Sequence, residues 1–158
     1  MVDCCSPPRP GDPAEHRTCP KCHSAGHAVD LNTVMALLTE IARGRLSDAP
    51  HRFCQAPACE VVYFTPTDTF TVRDLRVSVW QKEPFGARTI CYCFGENEAD
   101  MAREIAQDGM SRVVERVREH VAAGRCSCEV RNPRGACCLG DLIVAVKRVA
   151  HEQELSRR

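Results

Sequence analysis

Few aromatic residues, no excess of charge of either sign and no long apolar run characterise this chain of 158 residues. Lys plus Arg number 21 and Asp plus Glu number 21, so no net field draws the chain to nucleic acid or an anionic membrane. With one Trp, two Tyr and five Phe, any core must be built mainly of Val, Leu, Ile and Ala. No stretch reaches the roughly 18 uninterrupted apolar residues of a spanning helix. Met1 to Thr18 is rich in proline and lacks the apolar centre of a signal peptide. These absences predict a cytoplasmic protein with no membrane insertion and no nucleic-acid partner. Nor does a Ser/His/Asp group, a carboxylate pair or a phosphate-binding loop stand out, which argues against a stand-alone enzyme.

What the chain has in quantity is cysteine, twelve residues in all. In a reducing compartment, clustered cysteines bind metal more often than they form disulfides. Cys-x-Cys and Cys-Cys spacings also bridge poorly. The first set is Cys19-Pro-Lys-Cys22 and Cys54-Gln-Ala-Pro-Ala-Cys59. A Cys-x2-Cys turn brings two sulfurs to the same side, and the second pair does so from another loop. Four thiolates at about 2.3 Å make a closed tetrahedral zinc site with no open position for catalysis. Binding energy then becomes folding energy for a unit of roughly 60 residues, which is small for independent stability. His23 and His51 flank these cysteines as substitute ligands, and are read as neighbours or outer donors.

The second set departs from zinc habits. Cys91-Tyr-Cys93 is followed much later by Cys126-Ser-Cys128 and then by the adjacent Cys137-Cys138. A two-iron cluster needs two pairs of thiolates, one per iron. Cys91 and Cys93 are expected just before one helix and Cys138 just before another, where helix N-termini favour an anionic group. Arg125, Arg131 and Arg134 add positive charge nearby. The alternative is a second zinc. Four of these six cysteines suffice, and composition does not choose among them.

The expected fold class is α+β. Residues 1–18 form a flexible arm, 19–80 a small mixed zinc-binding unit, and 88–155 an all-α helical module. The first unit is expected to hold a short strand at 27–30, a helix over 33–43 with Val34, Leu37, Leu38 and Ile41 on one face, and strands near 52–53, 61–64 and 72–79. Gln81 to Ala87, with Pro84 and Gly86, is the linker. The second module is expected to hold a helix over 97–108 closed by Gly109, and another capped by Ser111 with Val113, Val114, Val117 and Val121 inward. A third, capped by Asp141, follows with Leu142, Val146 and Val149 inward.

Taken together, Cys91-Tyr-Cys-Phe94, Cys128 through Cys138 and Phe53 through Phe64 resemble the N-terminal domain of the CopZ-type copper chaperones. The resemblance runs from about Cys19 to Leu142. It implies one Zn2+ on Cys19, Cys22, Cys54 and Cys59, and a helical part similar to bacterioferritin-associated ferredoxins with a [2Fe-2S] cluster. That cluster would fall on Cys91, Cys93, Cys128 and Cys138, leaving Cys126 and Cys137 as non-ligands. Full-length chaperones of this type continue into a copper domain with a Met-x-Cys-x-x-Cys loop. The sequence holds no such loop, so copper delivery by it is not expected. The function implied is a one-electron carrier in copper or mercury homeostasis, with a metal transporter or metallochaperone and a redox protein as partners. The alternatives are a Cu(I)/Hg(II) buffer using Cys4 and Cys5, or a generic ferredoxin-like donor.

Overall fold

The computed structural model describes residues 16–158, which divide into two compact units. One comprises the chain up to Glu83 together with Glu129–Ala136. The other comprises Pro84–Cys128 and Cys137–Arg158. The break between Glu83 and Pro84 falls inside the expected linker. Residues 129–136, expected in the helical module, instead pack with the first unit.

The first unit is built on an antiparallel sheet in the order β1 (His27–Val29), β2 (His51–Phe53), β3 (Val61–Phe64) and β4 (Thr69–Thr71). Its register pairs His27 with Phe53, Phe53 with Tyr63, and Phe64 with Thr69. All four residues of β3 are buried. A register irregularity between Val61 and Tyr63 breaks strict alternation. Val62 and Tyr63 therefore both join the main core with Val34, Leu38, Phe53, Phe70 and Val79, while Val61 and Phe64 pack with Cys19, Cys54 and Cys59.

The helix expected over 33–43 is broken in two. Asp30 caps α1 (Leu31–Leu37), its carboxylate accepting from Asn32 N at 2.8 Å. At Leu38 the chain turns extended to bridge Leu75, and Thr39 N donates to Asp74 O at 2.8 Å. Thr39 then caps α2 (Glu40–Arg43), with Ala42 N donating to its hydroxyl. The break leaves Ile41, expected inward, 92% exposed. The strand expected over 72–79 is likewise replaced. Asp74 accepts from Thr71 N at 2.7 Å and winds Val72–Asp74 into a 3-10 turn. A second such turn spans Trp80–Lys82.

In the second unit, α3 (Glu98–Asp108) follows its sequence signals closely. Asn97 Oδ1 accepts from Asp100 N at 2.9 Å, and Gly109 ends the helix at φ 77°. The cap of helix α4 (Val113–Ala122) is Arg112, one residue after the expected Ser111, though Val113 N still donates to Ser111 Oγ. After the short α5 (Cys128–Arg131) comes α6 (Leu139–Ser156), which buries Leu142, Ala145 and Val149 rather than Val146. Besides these helices the unit carries a two-stranded hairpin of β5 (Thr89–Cys91) and β6 (Glu96–Asn97). The architecture is α+β, as expected.

Candidate metal centres

Thr18 bridges Ala25 across the first cysteine turn, and Cys19 N donates to Ser24 O at 2.8 Å. His23 closes this turn at φ 60°, a left-handed conformation uncommon outside glycine. Cys54 follows β2, its N–H donating to Val62 O at 2.8 Å, and Cys59 precedes β3. The turn and the sheet end thus present four thiols to one point. Their sulfurs all lie within 4.8 Å of one another, with Cys22 to Cys54 at 3.6 Å and Cys19 to Cys59 at 3.9 Å. Four sulfurs placed at about 2.3 Å from one tetrahedral ion stand about 3.8 Å apart, so the set fits zinc. None of these thiols is in a disulfide.

Cys22 is held down to about 6 by hydrogen bonds from the Ser24 side chain and amide. Burial pushes Cys54 up to about 12 and also raises Cys59, against amides of Ala56 and Val61 that favour their thiolates. Lys82 donates from Nζ to the carbonyls of Ala56 at 2.9 Å and Cys59 at 2.8 Å. Sequence reading had passed over it, because it stands within the expected linker. His51 is buried and stacked on Phe70, and burial lowers its pKa. It lies in the core rather than among the four sulfurs.

The second set forms a chain of contacts within its own unit. Cys93 Sγ lies 3.8 Å from Cys128 Sγ, and Cys138 is hydrogen bonded to both Cys128 and Cys91. Cys91, Cys128 and Cys138 are buried and Cys93 is partly buried. Ser127 N donates to Cys93 Sγ at 3.2 Å, and the Phe94 and Cys93 amides point to Cys91. Burial drives Cys93 up to about 12; Cys138 is raised by its bonds to Cys128 and Cys91, while its bond to Cys91 lowers that thiol. Cys91 and Cys93 do not sit at the start of a helix as expected. Cys91 ends β5 and Cys93 lies in the hairpin turn, while Cys128 is the first residue of the short α5 and Cys138 stands at the N-cap position of α6. Cys126 and Cys137 are partly buried, and Cys4 and Cys5 lie outside the described residues.

A buried acid missed in the sequence braces the hairpin. The Glu98 side chain is fully buried and accepts from Arg88 Nε at 2.7 Å, from Gly86 N at 2.7 Å and from Arg148. Burial opposes its ionisation, but the Arg88 and Gly86 hydrogen bonds prevail and hold its pKa below 4.5. Both guanidinium groups also face the Phe85 ring, at 4.1 and 4.4 Å from its centroid.

Among known proteins, the zf_CopZ family, described as a zinc binding domain, matches residues 16–76. The X-ray structure of the Archaeoglobus fulgidus CopZ N-terminal domain superposes with a TM-score of 0.65 at 31% sequence identity, covering 79% of this chain and 94% of that one. No curated protein matches the sequence. The match spans both cysteine pairs of the first unit, which is therefore a zinc-binding one.

Proposed function

The chain belongs to the family of CopZ-type N-terminal domains, and on that premise we propose that its second cysteine set holds a [2Fe-2S] cluster, making the protein a one-electron carrier in soft-metal homeostasis. The observation that carries this reading is the run of contacts Cys93–Cys128–Cys138–Cys91. It brings four thiols together, the number that two adjacent irons, each with two thiolates, require. When bound, such a cluster accepts and gives up single electrons.

The protein's own part is to bind and tune. Burial of Cys91, Cys128 and Cys138 keeps water from three of the four sulfurs. The amides of Phe94, Cys93 and Ser127 favour their charged form. Arg125, Arg131 and Arg134 lie near the ligands in sequence and offset negative charge. Cys126 and Cys137 take no ligand role in this reading. The electron goes to a soft-metal cargo, copper or mercury, or to a partner protein, with a metal transporter or metallochaperone as the further partner. The setting is cytoplasmic, and the protein is a carrier rather than an enzyme. Among the described residues no helix is long and apolar enough to cross a membrane.

Metal analysis and EPR on anaerobically purified protein test the proposal. One zinc and two irons per chain, thiolate-to-iron absorption bands and a reducible two-iron signal are expected. Two zincs and no iron would overturn it.

A further inference from the structure

Nine residues lie between Cys128 and Cys138, and most of that intervening backbone packs in the zinc-binding unit. We propose that Tyr63 and Thr33 of that unit are positioning residues for the second cysteine set, because they hold the loop that bears Cys128 at one end and Cys138 at the other. This rests on the cluster reading above.

Tyr63 is fully buried, and its hydroxyl donates to the carbonyl of Pro133 at 2.6 Å. Thr33 is 1% exposed, and its hydroxyl donates to the carbonyl of Glu129, the residue after Cys128, at 2.5 Å. Gly135 approaches Thr33 so closely that an added Cβ would lie 2.8 Å from Thr33 Oγ1, and its φ of +67° already favours glycine. The loop is also tied internally. Asn132, 1% exposed, donates from Nδ2 to the carbonyl of Ala136 at 2.7 Å and accepts from Arg134 N at 3.1 Å, while Gly135 N donates to Asn132 O. Carbonyls next to both ends of the loop, at Glu129 and Ala136, are thereby fixed.

A free loop of this length would have to be ordered each time its two end ligands met a metal, at a cost in conformational entropy. Anchoring Glu129 and Pro133 meets that cost in advance, and metal ligands work only when held to within about 0.5 Å of their productive position. Tyr63 also lies one residue from Phe64, which packs with Cys19, Cys54 and Cys59. Strand β3 therefore joins the zinc-binding thiols to the loop anchor.

Tyr63→Phe removes only the donor and leaves the Pro133 carbonyl unpaired in a buried place. Thr33→Val removes the second donor with little change of volume, and serves if Tyr63→Phe fails to fold. In the anaerobically purified full chain, each variant should keep one zinc. Each should lose its iron chromophore to a ferrous chelator faster, on the order of 10-fold, as for other residues that support metal ligands. The EPR signal of the reduced protein should shift, and the amides of Arg134 and Gly135 should exchange faster. Variants with wild-type iron loss, EPR and amide exchange would overturn the positioning role while leaving the cluster reading intact. A wild type that holds no iron overturns the cluster reading and the positioning role that rests on it, and amide exchange then decides only whether the two hydroxyls anchor the loop.

Discussion

The Nζ of Lys82 lies 2.8 Å from the carbonyl oxygen of Cys59 and 2.9 Å from that of Ala56, so one ammonium group spans the second cysteine loop of the zinc site. Zinc with four thiolates carries excess negative charge, and a partly buried cation beside it offsets part of that charge. Lys82→Met should speed zinc transfer to a chromogenic chelator at neutral pH on the order of 10-fold. Lys82→Gln, which keeps a donor without the charge, should fall between. An unchanged transfer rate in both would show that neither the charge nor the bonds support the site.

Removing zinc should unfold the first unit rather than merely empty it. Cys19, Cys54 and Cys59 are core residues packed on Val61 and Phe64, and burial penalises ionisation of Cys54 and Cys59. With the ion gone, four thiols, three of them buried, lose their common partner. Chelation should abolish amide protection in β2 and β3. Through the Tyr63 anchor it should also hasten iron loss, which parallel zinc and iron assays would time.

Gly26 faces Phe64 too closely for any side chain. A Cβ there would meet Phe64 Cζ at 2.4 Å and Cε1 at 2.7 Å, with Arg52 Cβ at 3.0 Å. Phe64 is 2% exposed and packed on the zinc-binding cysteines. Gly26→Ala should therefore cost about 1–3 kcal/mol of first-unit stability, typical of overpacking, and loosen zinc. Denaturant melts and chelator competition on the same variant would check both.

Glu98→Ala should destabilise the second unit by about 3–5 kcal/mol, since it removes the carboxylate that the buried Arg88 and the half-buried Arg148 share. The pH dependence follows from the lowered carboxylate pKa. Its contribution is fully present above the unfolded value of about 4.5 and is lost as pH falls through the lower folded value. Acid titration of helical circular dichroism should show a slope below pH 4.5 that Glu98→Gln flattens.

Much of this was legible locally. Gly109 announces its helix end because caps act within one turn of chain. The two spaced cysteine pairs announce zinc because a tetrahedral ion constrains spacing directly. Ile41 misled because its periodicity is real, but Leu38 leaves the helix to pair with Leu75, a partner 37 positions away. The hairpin at Cys91 was missed because β5 and β6 are only three and two residues long.

By itself, the sequence determined the α+β class, the two spaced cysteine pairs of the zinc-binding unit and the helix end at Gly109, since spacing and capping are properties of short stretches. Only the tertiary structure decided that Lys82 meets the carbonyls of Ala56 and Cys59, that Glu98 joins Arg88 and Arg148, and that the loop between Cys128 and Cys138 belongs to the first unit. Each is a pairing between groups distant in sequence. A lone lysine, glutamate or tyrosine carries no local mark of the carbonyl or guanidinium it will meet once the chain is folded.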